Sequence, residues 1–367
     1  TAEARYGAKR DLLLLDNNVL ASCRFNDIIE DIKKAGFSAG STYVAPNQFE
    51  IAVQNLRTGP NDRGYIKSCV KQYRKLIDRY GAGKMQEVYD LLKDHHLLED
   101  YTATKSAILA TYDELKPYFE QYYSNRPKRR YVDFNQGIDA RLITDENMAK
   151  LAEIPIRPVR IAFDHWSLRK KYEEAIRTAV KYGHTNLSNY ILYNFEDDPI
   201  ELYRRLKLNV DLCQELGANI YSFPMKYHPI EDPDYFSNRD YIGKKWNRKF
   251  IRTIQAILNS TKGKVGRSYD FFCKAFGADE QEFYKLLYMP EEMIIYRFYF
   301  EEIGMTDEWW QAFTSLTEEE LRIVKLIIEH NDFNNIEEKT DNPNILRVLE
   351  YYCITKEETE RARANSE

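Results

Sequence analysis

The 367 residues include 43% hydrophobic and 30% charged side chains, which is enough apolar material for a large core and excludes a disordered or fibrous chain. Lys and Arg number 53 against 58 Asp and Glu, so the formal net charge of −5 does not indicate a general nucleic-acid binder. No run approaches the roughly 20 apolar residues of a membrane span, so we expect no membrane partner and a cytoplasmic location.

The first element along the chain is predicted to be a strand. Asp11–Asn18 reads DLLLLDNN, in which four leucines precede three polar residues. This pattern is typical of a strand buried on both faces whose carboxyl end opens into a site, which makes Asn17 a first candidate for ligand contact. Apolar residues at helical spacing then predict a helix over 25–35, stopped by Gly36.

A long helical stretch follows this first strand and helix. Helical patterns over 65–80, 84–98 and 104–123 are separated by turns that contain glycine. The stretch is longer than a connection within a strand–helix unit. We therefore predict a mostly helical insertion over residues 38–128.

Strands and helices alternate again after the insertion. The predicted strands are Tyr131–Phe134, Val159–Phe163, Ser188–Tyr193 and Asn219–Pro224. The predicted helices between them are Thr144–Glu153, Leu168–Tyr182 and Pro199–Leu216. This alternation is the signature of a parallel α/β fold. Only helical patterns follow Pro229, so residues 230–367 are predicted to form an α-helical C-terminal region.

Polar residues stand at the carboxyl end of each predicted strand, where parallel α/β folds build their sites. The candidates are Asn17, Asn135, Gln136, Asp139, Arg141, Asp164, His165, Asn194, Lys226 and His228. Two simpler interpretations stay open: Asp139 and Arg141 could form an ion pair that closes a loop, and His165 could be satisfied by a neighbour. Asp197 and Asp198, just before Pro199, fit a helix cap better than a ligand site.

A basic run and the cysteines give weaker signals. Lys244–Arg252 interleaves cations with Trp246 and Phe250 and could lie along RNA, although a solvated helix face with both aromatic rings docked on the protein is favoured. The five cysteines are scattered, so they form no CxxC motif for a metal.

The strand-end segments DLLLLDNNVLA, VDFNQGIDARLIT, PVRIAFDHW, NYILYNFEDDPIELYRRL and NIYSFPMKYHPI resemble strands two to six of radical S-adenosylmethionine (radical SAM) enzymes, in particular a little-characterised bacterial group. The resemblance implies a partial parallel (β/α)6 TIM-like barrel over 1–37 and 129–229, with strand one missing. It also implies that a [4Fe–4S] cluster reductively cleaves S-adenosylmethionine to start radical chemistry on an unknown substrate. A reductant such as flavodoxin or ferredoxin would be a partner.

The resemblance also assigns roles to the candidates. Asn17 would meet the methionine amino group, Arg141 the carboxylate, and Asn135, Gln136 and Asp139 the ribose or substrate. Asp164 and Asn194 would complete the nucleoside pocket with Tyr193 near the adenine, while His165, Lys226 and His228 are expected to contact substrate.

One departure from the family pattern concerns the iron–sulfur cluster. The three cysteines spaced CxxxCxxC that hold it are absent from the sequence, and we expect them upstream of residue 1. Two alternatives follow from their absence. The chain could be a cluster-less barrel that serves as a nucleic-acid or protein binding module, or an iron-free α/β barrel enzyme with Asp164 and His165 as acid–base groups.

Overall fold

The computed structural model describes residues 2–15, 18–123, 126–232 and 240–365. The chain divides into two compact units. Unit 1 contains the described residues of 1–14, 26–133 and 150–156. Unit 2 contains those of 15–25, 134–149 and 157–367.

Unit 1 is mostly helical, with two small two-stranded sheets in which β1 pairs with β4 and β2 with β3. Its helices are α1 (Ala2–Tyr6), α2 (Phe25–Lys34), α3 (Gln48–Thr58), α4 (Asp62–Tyr80), α5 (Gln86–Asp94), α6 (Lys105–Ala110) and α7 (Tyr112–Tyr122). Its strands are β1 (Asp11–Leu14), β2 (Thr42–Tyr43), β3 (Lys128–Arg129) and β4 (Tyr131–Phe134).

Helices α3 to α7 have a hydrophobic core of their own. The rings of Phe49 and Phe119 stack with centroids 4.0 Å apart, and Tyr73 packs against both. Asn47 starts α3 by accepting hydrogen bonds from two backbone N–H groups of the first turn, which would otherwise lack partners. The core of these helices lies within the predicted helical insertion.

Unit 2 contains a three-stranded parallel sheet in the order β5 (Val159–Arg160), β6 (Asn186–Tyr193) and β7 (Asn219–Lys226). Helix α8 (Asp145–Leu151) begins in this unit, and α9 (Arg169–Lys181) and α10 (Pro199–Leu216) connect the strands. The predicted helix signals are confirmed at α10. The Asp198 side chain caps its first turn, Pro199 is its first residue, and Gly217 ends it in the left-handed conformation.

The last third of the chain is helical, as its patterns indicate. Its helices are α11 (Arg248–Ser260), α12 (Tyr269–Phe276), α13 (Glu280–Tyr288), α14 (Glu291–Ile295), α15 (Arg297–Glu302), α16 (Met305–Thr314), α17 (Glu318–His330), α18 (Pro343–Glu350) and α19 (Lys356–Ala364). Helices α11 to α18 contribute to one hydrophobic core together with β6 and α10. The residues predicted as an α-helical C-terminal region belong to unit 2.

The predicted (β/α)6 barrel is wrong. The described strands are short and form sheets of only two or three strands, none of which closes. Strand β5 has two residues, because regular pairing with β6 stops after Arg160. The first strand also differs from its prediction, since the Leu13 side chain is 55% exposed rather than buried between two layers.

Candidate functional site at the carboxyl edge of the parallel strands

The sheet of unit 2 brings several predicted site segments to one edge. Strands β6 and β7 pair in parallel along their whole length, from Asn186 with Asn219 to Tyr193 with Lys226. A parallel bridge joins Ile138 to Ile161, just beyond β5. Residues after these positions therefore follow the carboxyl ends of adjacent parallel segments, which is where such sheets place ligands.

A buried arginine that the sequence did not single out organises this edge. The Arg205 side chain, on α10, is fully buried, and its guanidinium donates to the carbonyl oxygens of Asp164 (2.8 Å) and Leu192 (2.9 Å). It also donates to Asp197 Oδ2 at 2.9 Å. Arg205 thus ties the segments after β5 and β6 to one helix. No sequence signal marks it, because its burial depends on partners on other elements.

Desolvation opposes both charges of the Arg205–Asp197 pair. Burial lowers the pKa of Arg205 and raises that of Asp197, and in each case the partner charge acts in the other direction. Asp197 also accepts hydrogen bonds from the Phe195 N–H and the Trp246 indole N–H. The Asp197 carboxylate therefore accepts hydrogen bonds from groups inside the protein, and it is the Asp198 side chain that caps α10.

Asp139 and Arg141 form the ion pair that the sequence left open as an alternative. Arg141 Nε and Nη2 donate to the two carboxylate oxygens of Asp139 at 2.9 and 2.6 Å. This hydrogen bonding is the main cause that lowers the pKa of Asp139. The same carboxylate accepts the Arg141 backbone N–H, so it also shapes the turn. Gly137 precedes this turn at φ +86°, a conformation that favours glycine.

The Asp164 carboxylate at this edge lacks a hydrogen-bond partner among the described residues. Asp164 itself is exposed. Desolvation by neighbouring atoms raises its pKa, the Arg205 charge lowers it, and the Asp139 charge raises it. The side-chain amides of Asn135 and Gln136 likewise make no hydrogen bond within the described ranges. These three side chains retain polar groups that a ligand can satisfy.

His165 is satisfied by a neighbouring residue, which is the simpler of the two interpretations that the sequence left open. Its Nδ1 accepts the Ser167 backbone N–H at 3.2 Å and lies 2.8 Å from the Ser167 hydroxyl oxygen. The side chain therefore caps the short 3-10 helix Trp166–Leu168. Its Nδ1 is occupied by this capping.

Asn194 and Tyr193, predicted to contact the nucleoside, lie inside the protein. The Asn194 amide donates to the carbonyl oxygens of Tyr227 and Tyr241 and accepts from the Gly243 N–H, all within 3.1 Å. Tyr193 packs against Trp246, and burial raises its pKa to about 12. Both side chains are thus occupied by internal packing. Asn17 lies outside the described residues.

A cavity of about 680 Å³ lies beside the carboxyl end of β7. Lys226 and His228, both predicted as substrate contacts, line it together with Asp240. Arg248 and Arg252 line it from the first turns of α11. The sequence marked both arginines only as members of a basic run, because a pattern along one helix does not show which strand its cations face.

The basic run itself is built as the favoured interpretation expects. Trp246 and Phe250 are only 5% and 8% exposed, and the Trp246 indole donates to the Asp197 carbonyl oxygen at 2.9 Å. Stacking on nucleic-acid bases requires exposed ring faces. The two rings are therefore committed to the core, while Lys244 and Lys245 are exposed.

The described cysteines do not fit an iron–sulfur cluster. Cys69 and Cys213 are buried, and no group of three His, Cys, Asp or Glu side chains in the described ranges is arranged to hold a metal. Within the same ranges, no helix combines the length and the hydrophobicity that crossing a bilayer requires.

Comparisons of this chain with family models, with curated proteins and with solved structures return no match.

Proposed function

We propose that this chain binds S-adenosylmethionine at the carboxyl edge of the parallel strands of unit 2 and belongs to a radical SAM enzyme. The observation that carries the proposal is the unpaired Asp164 carboxylate, which follows β5 at this edge. The amides of Asn135 and Gln136, which make no hydrogen bond among the described residues, come just before Ile138, the residue that a parallel bridge joins to Ile161. The proposal does not require a closed barrel, since adjacent parallel segments already provide a common edge.

The chemistry of these side chains fits the polar parts of the proposed ligand. A carboxylate accepts hydrogen bonds from ribose hydroxyls, which suits Asp164. An amide offers both donors and acceptors, so Asn135 and Gln136 suit the amino acid part of S-adenosylmethionine or the ribose. When bound, S-adenosylmethionine would supply a 5′-deoxyadenosyl radical and release methionine on receiving one electron from the family's [4Fe–4S] cluster, which a partner such as flavodoxin or ferredoxin would reduce.

The [4Fe–4S] cluster of the family has no counterpart in the described residues, because their cysteines do not come together. We therefore assign no step to the cluster. The residues of this chain bind and orient: Arg205 holds the segment that carries Asp164, and the Asp139–Arg141 pair fixes the turn beside it.

The proposal is tested by titrating purified chain with S-adenosylmethionine in a calorimeter. We expect saturable binding that Asp164→Asn weakens about tenfold or more, since hydrogen bonds to a charged group contribute about 1.5–3 kcal/mol. Asp211→Asn is the matched control, because Asp211 lies on α10 and pairs with Lys207. No saturable heat with the wild-type chain, or equal affinity in the wild-type and Asp164→Asn proteins, would overturn the proposal.

A further inference from the structure

The cavity beside β7 is lined by several separate segments of unit 2. Met225, Lys226 and His228 line it from the carboxyl end of β7, and Arg248 and Ile251 line it from α11. Its volume of about 680 Å³ lies in the range of small-molecule sites, roughly 300–1,000 Å³. The cavity can thus hold a ligand of several non-hydrogen atoms.

The lining is rich in cations. Among the described residues, the lining includes the three cations Lys226, Arg248 and Arg252 but one carboxylate, Asp240. Arg252 is already held by the Glu291 carboxylate, through contacts of 3.2 and 2.5 Å. Arg248 has no hydrogen-bond or ion-pair partner among the described residues. Its charge is therefore available to a ligand.

Two observations indicate that the positions of Lys226 and Arg248 are electrostatically unfavourable. Burial lowers the pKa of Lys226, the Asp240 charge opposes this shift, and the nearby Arg248 charge lowers the pKa further. Arg248 is also the first residue of α11, whose first turn contains no acidic residue. A cation at that end of a helix is unfavourable, because the unpaired N–H groups there already carry partial positive charge. A bound anion would relieve both repulsions.

Part of the remaining lining is apolar, beside the polar side chains of His228, Gln255 and Asn331. Met225, Ile242 and Ile251 provide surface for an organic group next to the cations. We propose that this cavity binds a phosphorylated small molecule, with its phosphate between Lys226 and Arg248 and its organic part on these apolar side chains. The inference goes beyond S-adenosylmethionine binding and does not depend on it.

The test is a 31P NMR titration of purified chain with two probes, inorganic phosphate and phenyl phosphate. We expect saturable binding of both, with phenyl phosphate bound more tightly because its ring reaches the apolar lining. Arg248→Gln and Lys226→Gln should each weaken binding about tenfold or more. Lys244→Gln and Lys245→Gln are matched controls, since both lysines are exposed on the same basic run and do not line the cavity.

Four outcomes would overturn the inference, three of them seen with the phosphate and RNA probes and one with S-adenosylmethionine. The first is the absence of saturable binding, and the second is an equal loss in the control variants. The third is tight binding of a short oligouridine that the exposed-lysine variants abolish, which would assign the basic run to RNA. Calorimetry of Arg248→Gln with S-adenosylmethionine separates the two sites: unchanged affinity there supports a distinct anion site, whereas a parallel loss would overturn it.

Discussion

Replacing Arg205 by methionine should destabilise unit 2 strongly. The fully buried guanidinium satisfies the Asp197 carboxylate and the carbonyl oxygens of Asp164 and Leu192. Methionine has a comparable apolar stem but donates no hydrogen bond, so these acceptors would stay buried and lose a partner. Breaking a buried ion pair in this way costs about 3–5 kcal/mol.

Urea unfolding followed by tryptophan fluorescence measures this loss. All four tryptophans, at 166, 246, 309 and 310, belong to unit 2, so the signal reports that unit. Arg204→Met is the matched control: its guanidinium pairs with Glu280 at 2.6 Å on the exposed side of the same helix. An exposed pair contributes about 0–1 kcal/mol.

Removing both members of the Arg205–Asp197 pair provides a second test. Desolvation opposes both charges, so removing them together should cost less than the sum of the single changes. Asp197→Leu combined with Arg205→Met tests this. A loss in Arg205→Met no larger than in Arg204→Met, or strict additivity in the double variant, would refute the account.

Two predictions concern pH. Burial lowers the pKa of His184, so the folded state binds fewer protons than the unfolded state, and the stabilising contribution of the neutral histidine is lost as pH falls below about 6.5. The His184→Gln variant should therefore lose less unfolding free energy than the wild type between about pH 7.5 and 5. Equal changes of unfolding free energy with pH in the two proteins would contradict this. Burial lowers the pKa of Lys249 to about 7, so its protonation destabilises the fold as pH falls from about 10.5 to 7. Lys249→Met should therefore gain stability relative to wild type at about pH 6 compared with about pH 9, measured by the same fluorescence assay, and a pH-independent difference would count against it.

Local features of unit 2 could be predicted well from the sequence. The run SNYILY over 188–193 indicates a strand, and the cap Asp198, Pro199 and the stop Gly217 indicate the helix α10, in both cases from neighbouring residues alone. The reciprocal bonds between Thr144 and Asn147 at the start of α8 likewise follow from residues three positions apart. Such interactions form within one turn, so the sequence contains all their partners.

The candidate site was predicted only in part. The alternation of strands and helices predicted parallel pairing, and it therefore correctly placed the segments after β5, β6 and β7 at one edge of the sheet. It did not show that internal hydrogen bonds occupy the Asn194 side chain, or that His184 is only 8% exposed. Burial depends on residues far away in the chain.

The sequence by itself determined the composition of the core, the order of helices and strands, and the polar residues that follow each strand. Only the tertiary structure decided that the described sheets do not close into a barrel, that the buried Arg205 side chain binds the Asp164 carbonyl oxygen, and that Arg248 and Lys226 line one cavity. The physical reason is the range of the interactions. Helix caps and periodicity act between neighbours, whereas strand pairing, desolvation and charge clustering join residues that the chain separates widely.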